Sequence, residues 1–538
     1  MTTHDRWRRA WCWIALLWVS GLICSPPAFA QQPSREQPAA KLKRPNILLI
    51  YADDQSYKTV GCYPGSFPWV KTPHIDQLAA SGIRFDHCYI GSWCMPSRAT
   101  MLTGRLPHGI ESMRMEGKYP NATYDPQLTP FWPKVFREHG YQTAQIGKWH
   151  TGNDAGFGRD WDYQIVWNRP KHPDNAGNYY EDQILAFNGE ERRTAGYSTD
   201  NYTQWACDYI RGANAEGSLR DKEKPFYLWL CYGAIHGPSH PAARHKGTYK
   251  DNAVKTPADI FGPRPNKPAY LETTQAWVKG PNGEPVMGKS GEKFGDESAK
   301  NAKTHAAFVH QMNECARAID EGVGKVMAAL RESGQLENTL VVYTADQGFS
   351  MGEHGMRTKI APYEANYRSP LIISQPGSLP QDKVCKQPVS GQDLVVTFFQ
   401  RAALNLPWKM HGRDLSPLLA DPQAKDWNQP VLYEHMGHHF GSDTAKVLST
   451  DPAEAIHSNV PWWLAIRHGT HKYIRNLKAG ETEELYDLAA DPEELTNLID
   501  DPRLQSRVQE LRVLLRAELL RTEAGFIDHL PPLKEAKQ

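Results

Sequence analysis

The chain has 538 residues, and its 61 Lys plus Arg balance 61 Asp plus Glu, so its formal net charge is zero. With a pI of about 7.3 there is no overall basic field to draw nucleic acid, although a small anion needs only a local positive pocket. The length exceeds one ordinary domain and predicts a large domain with a smaller appendage.

The N-terminus carries basic Arg6-Trp7-Arg8-Arg9, then a largely apolar run from Ile14 to Cys24, then Ala28-Phe29-Ala30 ahead of Gln31-Gln32. That order is a secretory signal with a small-x-small cleavage site. It predicts a signal over residues 1–30, a linker over 31–43 and an exported, periplasmic or secreted protein. Leu22 and Ile23 are too bulky to favour a lipoprotein site at Cys24. No later segment is long and apolar enough to span a bilayer.

Four β-rich runs follow, each ending in a polar cluster. Asn46 to Tyr51 leads to Asp53-Asp54, Tyr141 to Gly147 leads to Lys148-Trp149-His150, Phe226 to Tyr232 leads to His236, and Thr339 to Thr344 leads to Asp346-Gln347. Helical patterns lie between them: one from Thr72-Pro73 to Gly82, one from Thr129-Pro130 to Gly140, and a long amphipathic stretch from His305 to Ser333. Short apolar strands alternating with helices predict an α/β fold with a large, mostly parallel sheet covered on both faces. Ligands of such sheets bind at the carboxyl ends of the strands, where all four clusters fall. Residues 153–203 and 237–303 read as excursions from this core, either surface decoration or a rim around the site.

After about residue 425 the pattern changes. Pro461 to Arg467, a turn at His468-Gly469 and Thr470 to Arg475 predict a hairpin, followed by a helix from Pro502 to Arg521. The expected division is a catalytic domain over 44–424 and a smaller C-terminal α+β subdomain over 425–538.

The densest chemical signal is Cys94-Met95-Pro96-Ser97-Arg98, followed by Ala99 to Arg105. Pro96 suits a first helical turn and Gly104 a helix stop. Cys94 then sits at a helix N-terminus, where free amides and the dipole favour an anion, with Arg98 one turn on. The segment resembles the formylglycine signature of the sulfatase family. In that family the cysteine is oxidised to an aldehyde by a maturation enzyme, and the aldehyde hydrate attacks the sulfur of a sulfate ester. Met95 departs from the small residue more usual there.

The remaining clusters resemble the same family in the same order. Asp53, Asp54, Asp346 and Gln347 offer oxygens suited to a hard cation. The resemblance makes them, with Cys94, the ligands of one Ca²⁺, Gln347 standing where the family varies. Gly147-Lys148-Trp149-His150-Thr151-Gly152 matches a block whose lysine and histidine contact the formylglycine and the sulfate. His236 matches the histidine at the ester oxygen, and Lys359, before Tyr363-Glu364, matches a sulfate-binding lysine. The resemblance thus implies Cys94, Arg98, Lys148, His150, His236 and Lys359 as the catalytic set on an alkaline phosphatase-like fold. Asp346-Gln347-Gly348-Phe349 and Gly352-Glu353-His354-Gly355 look closest to the iduronate-2-sulfatase-like branch, which implies a sulfated carbohydrate as substrate. Selectivity is expected in the loops, the C-terminal subdomain and His438, His439, Arg467 and His468.

Two other readings share these residues. One is a phosphate or phosphonate ester hydrolase of the same superfamily, although a two-zinc site needs further Asp and His ligands and a Ser or Thr nucleophile. The other is a non-catalytic binder of sulfated glycans. Six cysteines besides Cys94 follow the leader, at spacings that fit neither a zinc site nor a small disulfide scaffold.

Overall fold

The computed structural model describes residues 44–115, 122–169, 171, 175–288 and 304–533. The expected signal and linker therefore lie outside the described residues. Eleven strands make the central sheet. In chain order they are β1 (Asn46–Ala52), β2 (Ile83–Tyr89), β3 (Gln142–Lys148), β4 (Tyr163–Trp167), β5 (Glu181–Phe187), β6 (Glu190–Tyr197), β7 (Phe226–Cys231), β8 (Thr339–Ala345), β9 (Arg368–Ser374), β10 (Lys383–Cys385) and β11 (Val389–Ser390).

Their spatial order is β10-β2-β9-β8-β1-β7-β3-β4-β5-β6, with β11 also paired to β2. Only β9 and β5 run against the rest. The sheet is therefore the mostly parallel one expected, with β1 at its centre between β7 and β8.

Side-chain alternation along a strand sends β1 into two cores. Ile47, Leu49 and Tyr51 face one core, and Leu48, Ile50 and Ala52 face the other. The first core is closed by helix α2 (Cys94–Thr103) and by α5 (Gly391–Arg401), through Ala99, Leu102, Val395 and Phe399. The second is closed by α1 (Pro73–Ala80), α3 (Ser198–Arg211) and α4 (His305–Glu332), through Leu78, Ala206, Met312 and Val323.

Beyond residue 425 a four-stranded antiparallel sheet forms from β12 (Val431–His435), β13 (Trp463–His468), β14 (His471–Asn476) and β15 (Glu484–Asp487), with helix α6 (Gln505–Arg521). One face of it, with Tyr433, Trp463, Ala465 and Ile474, joins the first core of the large sheet. The other, with Leu464, Ile466 and Leu485, packs on Val508, Leu511 and Leu515 of α6. From Arg44 onward the chain makes one compact unit.

Residues 153–203 are not an excursion. They supply β4, β5, β6 and the start of α3, extending the sheet past β3. The helix expected between Thr129 and Gly140 shrinks to Pro133–Glu138, beginning at a proline, which is tolerated at the first turn and not inside. Among the described residues no helix is long and apolar enough to cross a membrane.

Candidate active site

All ten site residues expected from the sequence lie at the carboxyl edge of the central strands. Asp53 and Asp54 follow β1, held where Asp53 N donates to Ala234 O (2.9 Å) and Asp346 N donates to Ala52 O (3.1 Å). Lys148 ends β3 and His150 follows it. His236 lies beyond β7, and Asp346 and Gln347 follow β8. Gly147 is required before Lys148, since its φ is +107° and a Cβ there would lie 2.0 Å from Cys231 O.

Cys94 is the first residue of α2, and Gly104 closes that helix in the left-handed conformation, with its N–H bonded to Thr100 O. The helix N-terminus thus points into the site from the first core. Lys359 comes from the long connection between β8 and β9. It is fixed there by Ile360, whose N–H donates to Ser92 O (2.9 Å) and whose carbonyl accepts from Trp463 Nε1 (2.8 Å).

The Cys94 thiol donates to Asp53 Oδ1 at 3.2 Å, with Asp54 Oδ1 at 3.8 Å and Lys359 Nζ at 3.1 Å. Lys359 Nζ also reaches both oxygens of Asp54, at 2.6 and 2.7 Å. Lys148 Nζ pairs with Asp53 Oδ2. Arg98 Nη2 is 3.5 Å from both Asp53 Oδ1 and Asp346 Oδ2, and its Nη1 donates to Lys148 O at 3.1 Å. Asp346 Oδ1 accepts from the backbone N–H of Asp54 (2.9 Å) and of Gln347 (3.0 Å), while Gln347 Nε2 bonds Asp54 Oδ1. His236 Nε2 is 3.5 Å from Asp54 Oδ2. His150 stands further back, 3.5 Å from Arg169 Nη1, with its ring 6.3 Å edge-on to Trp93.

Three buried carboxylates against three cationic side chains is an electrostatically loaded arrangement. Burial and then the neighbouring charge of Asp53 push the Asp346 carboxyl well above the usual carboxylate range. Burial raises Asp54 too, with Asp53 adding to it and Lys359 opposing. For Asp53 burial is outweighed by Lys148, by a hydrogen bond with Asp346 and by His236 and Arg98, so it stays ionised well below that range. Burial also lowers His236, reinforced by Lys359, and lowers His150, reinforced by Arg169. The Cys94 thiol is raised, by burial first and then by Asp53, so as a plain cysteine it is protonated and a poor nucleophile.

One oxygen or sulfur atom from each of Asp53, Asp54, Cys94 and Asp346 lies within 4.8 Å of every other, all four residues buried. Convergent hard oxygens with so many like charges fit a divalent cation of the Ca²⁺ type.

Several neighbours were not legible in the sequence. Tyr179 donates toward His236 Nε2 at 3.1 Å, stacks on that ring at 4.1 Å, and accepts from Lys148 Nζ at 3.4 Å. Arg169 lies 4.9 Å above the Tyr179 ring. Both sit in a stretch without hydrophobic periodicity, and only its aromatic richness signalled them. On the C-terminal side, His438 and His457 lie edge-on to Trp93, at 5.1 and 5.4 Å, and 4.2 Å from each other.

Of the four selectivity residues expected, two belong elsewhere. Arg467 is buried on Tyr89 and Glu364, because a buried guanidinium needs acceptors and those two supply them. His468 bonds Asn428 (2.7 Å) and faces Arg507 and Glu510. His439 packs on Trp462, beside His438.

A nucleophile position flanked by cations, convergent carboxylates and a histidine, on a mostly parallel α/β sheet, defines a hydrolase of ester oxyanions. The sulfatase family model matches residues 45–404, and the model of the N-sulphoglucosamine sulphohydrolase C-terminal region matches residues 352–521. The chain therefore belongs to the sulfatase family and is a sulfuric ester hydrolase.

Among its relatives is the N-acetylglucosamine-6-O-sulfatase of Bacteroides thetaiotaomicron, 28% identical, covering 94% of this chain and 90% of the relative. A solved structure of a protein in complex with its substrate D-glucosamine-2-N,6-O-disulfate is similar, with a TM-score of 0.74, 25% identity, and coverage of 89% of this chain and 98% of that one. The phosphonate monoester hydrolase of Silicibacter pomeroyi shares the fold, with a TM-score of 0.66, 20% identity, and coverage of 90% and 96%.

Proposed function

We propose that this sulfatase is exported and hydrolyses a sulfate ester on a sulfated carbohydrate, using a formylglycine made from Cys94 by a maturation enzyme and one Ca²⁺. The observation that carries the reading is Cys94 itself. Its thiol sits at a helix N-terminus within 3.2 Å of Asp53 and 3.1 Å of Lys359, and burial pushes that thiol up, which disfavours the thiolate an unmodified cysteine would need for attack. Asp53, Asp54, Asp346 and Gln347 would hold the cation, which when bound supplies Lewis-acid stabilisation of negative oxygen. Formylglycine at position 94 would supply the hydrated aldehyde as nucleophile.

The chain's own residues do the rest. Arg98, Lys148 and Lys359 place fixed positive charge where the sulfuryl oxygens lie, before any charge moves, so little reorganisation is needed. His236, 3.5 Å from Asp54, is the group to protonate the leaving oxygen, and its Nε2 is hydrogen-bonded with Tyr179 Oη at 3.1 Å. His150, behind Trp93 and beside Arg169, assists proton removal at position 94. His438 and His457, from the C-terminal side, form a wall with Trp93 next to the nucleophile position. Neutral imidazoles and an indole offer a sugar both hydrogen-bond partners and an apolar face. The relative that acts on N-acetylglucosamine 6-O-sulfate and the complex with a glucosamine disulfate support a sulfated sugar as the substrate class. Nucleic acid has no part in this reading.

The test compares rates on an aryl sulfate, an aryl phosphate and a phosphonate monoester, for the native protein and for Cys94→Ser. The sulfate is expected to be preferred by the native enzyme and multiple turnover to vanish in the variant. Faster phosphate or phosphonate hydrolysis, or full turnover by Cys94→Ser, would sink the proposal.

A further inference from the structure

Apart from the catalytic centre, a cavity of about 440 Å³ opens among the loop after β1, the connection from β8 to β9 and the segment around Pro492. None of the ten site residues lines it. Its volume falls within the roughly 300–1,000 Å³ typical of small-molecule sites. Tyr57 and Phe67 give it an aromatic wall, and Lys58, Lys255 and Arg368 face it together with Glu353, Glu493 and Glu494.

Arg368 is the informative member. It is 8% exposed, and its guanidinium lies 3.9 Å over the Tyr57 ring. Its Nε is buried without an acceptor, and no carboxylate among the described residues pairs with it. Of the three carboxylates that line the cavity, Glu353 holds Lys58 at 2.6 Å and Glu494 holds Lys472, while Glu493 stands exposed at the rim and is not paired with Arg368. A buried guanidinium without a directly paired carboxylate is costly, and its planar fork matches the two oxygens of a carboxylate or sulfate. The Phe67 ring, half-buried at the wall, suits the carbon face of a sugar ring, and exposed Lys255 offers a donor at the rim.

We propose that this cavity is a second, non-catalytic binding site for a sugar unit bearing an oxyanion, held by Arg368. The choice of a sugar rests on the proposed carbohydrate substrate, whereas the choice of an oxyanion rests on Arg368 alone. A uronate carboxylate and a sugar sulfate present the same chemistry to the guanidinium, and separate probes tell them apart.

The test is isothermal titration of the full chain carrying Cys94→Ala, so that nothing is turned over, with glucuronate, glucose 6-sulfate, inorganic sulfate and glucose. Each probe is repeated with Lys359→Ala and with Arg368→Gln added. At least one of the two anionic sugars is expected to bind, to lose tenfold or more in affinity with Arg368→Gln and to keep it with Lys359→Ala, while glucose does not bind. Whichever of glucuronate and glucose 6-sulfate binds more tightly identifies the oxyanion.

Unchanged affinity with Arg368→Gln overturns the proposal, as does affinity lost only with Lys359→Ala, which places the ligand at the catalytic centre. Inorganic sulfate binding as tightly as the sugars also overturns it, leaving a simple anion site. The melting temperature of Arg368→Gln, and the aryl sulfate rate of that substitution in the native background, check that the fold is intact. If it does not fold, Lys255→Glu at the rim is expected to weaken the same binding several-fold, and no change there overturns the proposal. Binding is read without turnover, so failure of Cys94 conversion and failure of this site are distinguishable.

Discussion

Replacing Lys359 by methionine keeps an unbranched stem and removes one of the three cations that face the buried carboxylates. Lys359 Nζ lies 2.6 and 2.7 Å from the Asp54 oxygens and 3.1 Å from Cys94 Sγ. Its side chain is 17% exposed, whereas those of Arg98 and Lys148 are fully buried. It is therefore the cation of the three that opens onto the side from which an ester enters. Loss of one group that stabilises developing oxyanion charge costs about 2.7–4 kcal/mol, so kcat on a sulfate ester is expected to fall by about 10²–10³.

Lys359→Met also strips Asp54 of its partner. A buried carboxylate left uncompensated costs about 3–5 kcal/mol. With an unfolding entropy of about 2.1 cal/mol/K per residue over roughly 490 residues, that is a fall of roughly 3–5 °C in melting temperature in EDTA. Added Ca²⁺ is expected to restore most of it, because the cation replaces the missing charge. Steady-state rates on an aryl sulfate and thermal melts with and without EDTA read both arms. A kcat within about threefold of the native value would refute the electrostatic reasoning.

Lys472→Met tests what joins the C-terminal sheet to the site loop. Its buried ammonium donates to Pro362 O at 2.8 Å and pairs with Glu364 and Glu494. Removing it is expected to cost about 3–5 kcal/mol, read as a lower melting temperature, and a neutral result would contradict the clamp. Tyr179→Phe keeps the ring stacked on His236 and deletes its hydrogen bonds. A net loss of about 0.5–1.5 kcal/mol for the bond to His236, the one that bears on proton transfer, corresponds to kcat reduced roughly 2- to 13-fold, with KM little changed. His457→Ala is expected to raise KM for a sugar sulfate several-fold and leave a small aryl sulfate unaffected; equal effects on both substrates would remove it from sugar recognition.

Much of the fold was legible because its central strands are short apolar runs buried on both faces. The runs expected at 46–51, 226–232 and 339–344 became β1, β7 and β8 within a residue. α1 and α4 were placed equally well, through Pro73 and through the amphipathic run from His305 to Ser333, and the structure adds a Thr304 cap whose side chain accepts from Ala307 N. The strands that escaped lack such a signature. In β2 the polar Arg84, Asp86 and His87 interrupt the run, and β6 is largely exposed along Glu190 to Tyr197. Its place in the sheet comes from pairing with β5, which no local pattern encodes.

Asp53, Asp54, Lys148, His150, His236, Asp346 and Gln347 converge because each ends or follows a strand of one sheet, whereas Cys94 and Arg98 arrive on helix α2 and Lys359 on the connection from β8 to β9. Tyr179 and Arg169 were missed since they reach the site from a segment whose register is set by the sheet edge. Arg467 was misplaced because a charged residue at a hairpin reads as exposed, whereas Tyr89 and Glu364 draw it inward.

The central claim is that Cys94 is converted before it acts. The direct measurement is the mass of the proteolytic peptide containing residue 94, from protein produced in its native host. A mass matching replacement of the thiol by an aldehyde is expected. An unmodified cysteine in folded protein that still turns over sulfate esters would contradict the claim.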